Sequence, residues 1–153
     1  MVDSPSLSSK LLQPERRPLL VADAQTVLES EVARKRGLGG MALKGAYKSV
    51  STISPGFIEG VIGALLDEWI HAYDAEYEMW ISAGSPGTFG AFLVGRKEAV
   101  AERMLEVTDR RAERTAHRGA AKLYGKLRGG AKKHVMEALP AVADLVDTHL
   151  DRA

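Results

Sequence analysis

Apolar positions recur every three or four residues over long stretches of the chain, and strand-like alternation over five or more residues is hard to find. That period belongs to helices, so the chain predicts an all-α fold. Six main helices follow. The first spans about 18–36, with Leu20, Ala24, Val27, Leu28 and Val32 on its inward stripe and Gly37 just past its end. A shorter one over 40–53 carries Leu43, Ala46, Tyr47 and Val50 on one side. The third starts at Ser54-Pro55, read as N-cap plus first-turn proline, and ends between residues 73 and 83. Phe57, Ile58, Val61, Ile62, Leu65, Leu66, Trp69 and Ile70 leave it few polar positions, the mark of a central helix. Gly84-Ser85-Pro86-Gly87 is a loop, and a short piece over 88–94 leads into the fourth helix, 96–114. A fifth over 118–128 presents Leu123, Tyr124 and Leu127 and is broken by Gly129-Gly130. The sixth, 131–150, turns Val135, Leu139, Val142, Val146 and Leu150 inward and should kink at Pro140.

These elements form one domain, 1–153. Residues 1–17, with Leu7, Leu11 and Leu12, predict a segment that docks on the body, and 84–95 connect two halves. The order long, short, long occurs twice. Val21-Ala22-Asp23 parallels Val100-Ala101-Glu102, Tyr47 with Val50 parallels Tyr124 with Leu127, and Gly56 to Val61 repeats the spacing of Gly130 to Val135. A duplication would give two three-helix units, 18–73 and 96–150. The plainer reading is that amphipathic helices of similar length share letters.

A length of 153 residues suits a single core without staples, and the absence of cysteine excludes disulfides, zinc–thiolate and iron–sulfur sites, and cysteine catalysis. Residues 1–10 contain Asp3 and four serines but no apolar core, so they do not read as a signal peptide. The longest apolar run, Val61 to Leu66, is far below the roughly 20 residues of a membrane helix. The expectation is a cytoplasmic protein without a transmembrane segment.

Charge changes the picture. With 21 basic and 20 acidic residues the net charge is +1. That neutrality hides a segregation. Residues 49–95 hold no Lys or Arg but six acids, Glu59, Asp67, Glu68, Asp74, Glu76 and Glu78. Residues 110–133 carry nine basic residues against Glu113 alone. Arg110, Arg111, Arg114, Arg118, Lys122, Lys126, Lys132 and Lys133 therefore form a candidate anion patch for nucleic acid or an anionic membrane surface. The bland alternative is a solvated face, or one neutralised by the acidic helix. Residues at intervals of four drift about 40° per step on a helix, so a single groove-reading helix is not supported. Aromatic residues are segregated too. Leu66, Ile70, Tyr73, Tyr77 and Trp80 follow a four-three-four-three spacing, a seam that could pack on another helix, and Trp69, Tyr73, Tyr77 and Trp80 fit either an aromatic core or a patch for a partner or apolar ligand.

Motifs that name a reaction are missing. Asp67, His71, Asp74 and Glu78 share a helix face, and Glu68-x-x-His71 is half of a di-iron motif, but its second half does not occur. Gly37 to Ala42 and Gly90 to Lys97 approach phosphate-loop spacings without the preceding strand. No catalytic residue, metal or cofactor is therefore expected.

Leu7-Ser8-Ser9-Lys10-Leu11-Leu12 with Pro14-Glu15-Arg16-Arg17-Pro18, then Ala46-Tyr47-Lys48 before Pro55-Gly56, carry a further signal. Phe89-Gly90-Ala91, Thr108-Asp109 and Ala131-Lys132-Lys133 extend it over nearly the whole chain. Together they resemble an uncharacterised family of small helical proteins of actinobacterial type. The resemblance implies a cytosolic bacterial protein and carries over no catalytic residue. The expected function is that of a non-enzymatic binding or interaction protein, self-associating or bound to another protein. The alternatives are an anion-binding module through 110–133 and a helical bundle with an apolar pocket near Trp69 and Tyr73.

Overall fold

The computed structural model describes residues 5–152, and these build seven helices and, among the described residues, no strand. They are α1 (Leu7–Leu11), α2 (Arg17–Arg34), α3 (Gly37–Ser51), α4 (Phe57–Ser82), α5 (Phe89–Gly95), α6 (Lys97–Arg114) and α7 (Arg118–Asp151). The all-α expectation is met, with the element count close to that predicted.

α4 is the central helix. Its Ile62, Leu66, Ile70, Tyr73 and Tyr77 are buried, and α1, α2, α5 and α6 pack around it. Gly56, not Ser54, sits at its N-cap with φ +75°, a left-handed conformation that a residue without Cβ adopts freely. α1 is capped by Ser6, whose side chain accepts the Ser9 amide. Its Leu7 and Leu11 are fully buried, and Ser8 donates from both its amide and its hydroxyl to the Asp74 carboxylate (2.8 and 2.7 Å). The acids Asp67, Asp74 and Glu76 of α4 are thus spent on structure. Arg17 grips Asp67 (2.9 and 3.0 Å), and the buried Glu76 is paired with Arg103 and Arg96.

α7 corrects the sequence reading. Two helices were expected there, yet one helix of 34 residues runs through both Gly129-Gly130 and Pro140. At 1.5 Å per residue it is about 50 Å long. Two ion pairs to α6 hold it across the glycines. Arg128 binds Asp109 on one side (2.8 and 3.2 Å), and Lys132 binds Glu102 on the other (2.9 Å). Tertiary anchoring outweighs a propensity penalty of about 1 kcal/mol per glycine. The second half therefore holds two helices after the connector, not three, and the long–short–long order does not recur. The expected connector, 84–95, is a loop followed by α5. There Thr88 caps α5, and the Gly90 amide donates to Asp147 of α7 (2.8 Å).

Candidate functional site

The sequence puts apolar residues on one side of α3 and of the first half of α7. They face one another, but they do not close. Between α2, α3, the start of α4, the end of α6 and the start of α7 lies a pocket of about 280 Å³. Leu43, Ala46, Tyr47 and Val50 come from α3, Phe57, Ile58, Val61 and Leu65 from α4, and Leu123, Tyr124 and Leu127 from α7. The lining is almost wholly apolar. Its space comes from small inward residues, Ala46, Ala112, Ala120 and Ala121, where longer side chains would have met. Few of the lining side chains are fully buried, because the pocket is open at one side.

Polar groups fix the walls. The Tyr124 hydroxyl donates to Asp109 (2.7 Å), whose carboxylate also takes the Arg128 fork. Hydrogen bonding from Arg128 is the chief reason that the Asp109 carboxyl titrates below its ordinary range. Burial, and then the bond to Asp109, raises the Tyr124 phenol. The Tyr47 hydroxyl reaches Glu29 on α2 (3.3 Å), and burial raises its pKa as well. Both tyrosines therefore stay neutral, their rings in the pocket and their hydroxyls at its edge. Phe57 meets the His117 ring edge-on, with centroids 4.6 Å apart, where α4 begins and α7 begins.

One charged side chain lines the pocket, Arg111 of α6, with Thr108 and Thr115 beside it. Arg111 is half-buried and makes no hydrogen bond or ion pair with any described residue. Of the other seven members of the candidate anion patch, Arg114 lies 3.8 Å from Glu68, and Lys132 holds Glu102. Arg110, Arg118, Lys122, Lys126 and Lys133 are exposed and have no carboxylate partner among the described residues. The acidic helix is neutralised mainly from elsewhere, by Arg17, Arg96 and Arg103. The basic segment thus keeps most of its charge beside the pocket.

A family model for DUF6918, a family of unknown function, matches residues 7–150. The chain belongs to that family. No curated protein and no solved structure gives a significant match. In this DUF6918 chain the aromatic seam takes up a core position. Tyr73 is buried and its hydroxyl meets the Met104 sulfur (3.0 Å), while the half-buried Trp69 donates its indole N–H to the Met104 carbonyl (3.0 Å). Tyr77 is buried against Phe89, edge-on at 5.1 Å, and Trp80 packs on both. Two of the four are thus buried and two half-buried, and neither Trp69 nor Tyr73 lines the pocket. An apolar pocket exists, but at the other end of α4 from the seam. The signal that could have placed it was the set of alanines on α3, α6 and α7, Ala46, Ala112, Ala120 and Ala121. It was illegible because the sequence does not say which stripes face each other. Among the described residues no helix is long and apolar enough to cross a membrane.

Proposed function

We propose that this protein is a non-enzymatic carrier or sensor of a small apolar ligand, held between α2, α3, α4, α6 and α7. The observation that carries the reading is the pocket of about 280 Å³ with its almost wholly apolar lining. Open apolar space costs a protein hydrophobic burial, and ligand sites typically occupy about 300–1,000 Å³ with few polar groups. The lining supplies hydroxyls and one guanidinium but no paired nucleophile and base, which favours binding over turnover.

Titration with a neutral naphthylamine fluorophore tests this. Saturable one-to-one enhancement is expected from the native protein. A ligand at about one hundred times its Kd should add about 2.7 kcal/mol of stability, seen as a higher melting temperature. Ala46→Trp, which places an indole in the pocket, should abolish the signal while leaving the helical circular dichroism spectrum intact. A native protein without saturable enhancement, or an Ala46→Trp variant that still binds, would reject the reading.

A further inference from the structure

The pocket's single charge says what kind of ligand it holds. Arg111 shares the lining with Leu65, Ala112, Leu123 and other apolar side chains, half-buried and without a partner among the described residues. Its guanidinium nitrogens keep access to water, so the charge stands at the wall of the apolar pocket, free to pair with an anion that enters. Several basic residues around it are already neutralised. Arg114 has Glu68, Arg128 has Asp109, Lys132 has Glu102 and Lys35 has Glu137. Asp109, two residues before it on α6, is already occupied by Arg128 and Tyr124. No lining residue is acidic. The surrounding field is positive as well, since exposed Arg110, Arg118, Lys122 and Lys126 flank the corner between α6 and α7.

Resting on the pocket reading above, we infer that the ligand is a single-chain amphiphile with a carboxylate head, a free long-chain acid, whose head pairs with the Arg111 guanidinium. Its chain lies against Leu43, Val50, Phe57 and Leu127. A guanidinium presents two parallel N–H donors that match the two oxygens of a carboxylate, so the geometry favours that head over a hydroxyl. The volume, at the low end for ligand pockets, suits one chain rather than two.

Calorimetric titration of delipidated full-length protein with dodecanoate, decanoate and dodecanol, at neutral pH, separates the head from the chain. Dodecanoate should bind one-to-one and about tenfold to a hundredfold more tightly than dodecanol, the range for a buried charge-assisted bond. Decanoate should be weaker by about fourfold per missing methylene. Arg111→Gln should bring the acid down to the affinity of the alcohol and leave the alcohol unchanged, whereas Arg111→Lys should keep part of the gap. Equal binding of acid and alcohol by the native protein would overturn the carboxylate inference and leave the apolar pocket standing. An acid preference that survives Arg111→Gln would also overturn it. Failure of both acid and alcohol to bind would overturn the pocket reading too. Ala46→Trp should remove the binding of all three, and dodecanoate binding that persists would place the ligand elsewhere and overturn the inference.

Discussion

The two ends of the bundle are built from the same kind of helix and packed differently. At one end, around the C-terminal halves of α4 and α7, Leu7, Leu11, Ile70, Phe89, Leu93 and Val146 are each at most 1% exposed. At the other end the apolar stripes of α3, α6 and α7 leave a pocket, and even its better buried members, Val32 and Leu65, retain 8% exposure. Polar groups differ as well. The closed end satisfies its buried acid Glu76 from Arg103 and Arg96, whereas the open end leaves Arg111 without a partner among the described residues. Hydrophobic periodicity runs through both ends, so it sets which face of a helix turns inward and not whether the faces meet. Side-chain size decides the latter. α5 brings Phe89 and Leu93 into the closed end, while Ala46, Ala112, Ala120 and Ala121 face the open one.

Truncation should expose that difference most strongly. Leu93→Ala, at a site with no exposure, should cost about 2–5 kcal/mol in urea unfolding. Leu43→Ala, at the pocket, should cost about 1 kcal/mol, because its side chain is only partly removed from water and the space beside it is already open. Equal costs would break the contrast between the ends.

The smaller effects sharpen it along α7. Gly129 lies mid-helix on an exposed face with nothing within 4 Å of where a Cβ would sit. Gly129→Ala should stabilise the protein by about 1 kcal/mol, read as a higher melting temperature. A loss of stability would mean that the helix does not run straight past that position. The smallest effect concerns acid. Burial, then the charges of Lys35 and Lys133, lowers the His134 pKa below its ordinary 6.5, although Glu137 opposes this. The unfolded chain therefore takes up that proton first as the pH falls. Stability present above about pH 6.5 declines below it. Comparing urea midpoints between pH 7.5 and pH 5.5 should show a shallower decline for His134→Asn than for the native protein; identical slopes would remove His134 from the account. Glu102, Asp109 and Glu137 are lowered from values of 4.5, 3.8 and 4.5, so their ion-pair stability is lost only at more acidic pH.

Much of the fold was legible in the residues. The inward faces of α2, α4 and α6 follow their stripes of three and four, and Gly84 to Gly87 marked the turn into α5. The break at Gly129-Gly130 was misread because glycine propensity is local, while Arg128 and Lys132 hold α7 to α6 through carboxylates far away in sequence. The candidate site was legible in pieces. Leu43, Ala46, Tyr47, Val50, Leu123, Tyr124 and Leu127 stand out as the apolar residues of their helices, and Arg111 as part of a basic run. That they surround one space was not, and the aromatic seam around Tyr73, a reasonable place to look for a pocket, is filled by Met104 and Phe89.

The amino-acid order alone determined the all-α class, the inward faces and the uneven distribution of charge, because each depends on spacing along a single helix. The tertiary structure alone decided which acids meet which bases and which stripes fail to meet. Ion pairing and cavity formation depend on distances between helices, and those are set by the whole packed bundle. The +1 net charge is thus an incomplete cancellation: the acidic helix is satisfied largely by Arg17, Arg96 and Arg103, which leaves the basic segment, with Arg111 at its inner edge, beside the open apolar end.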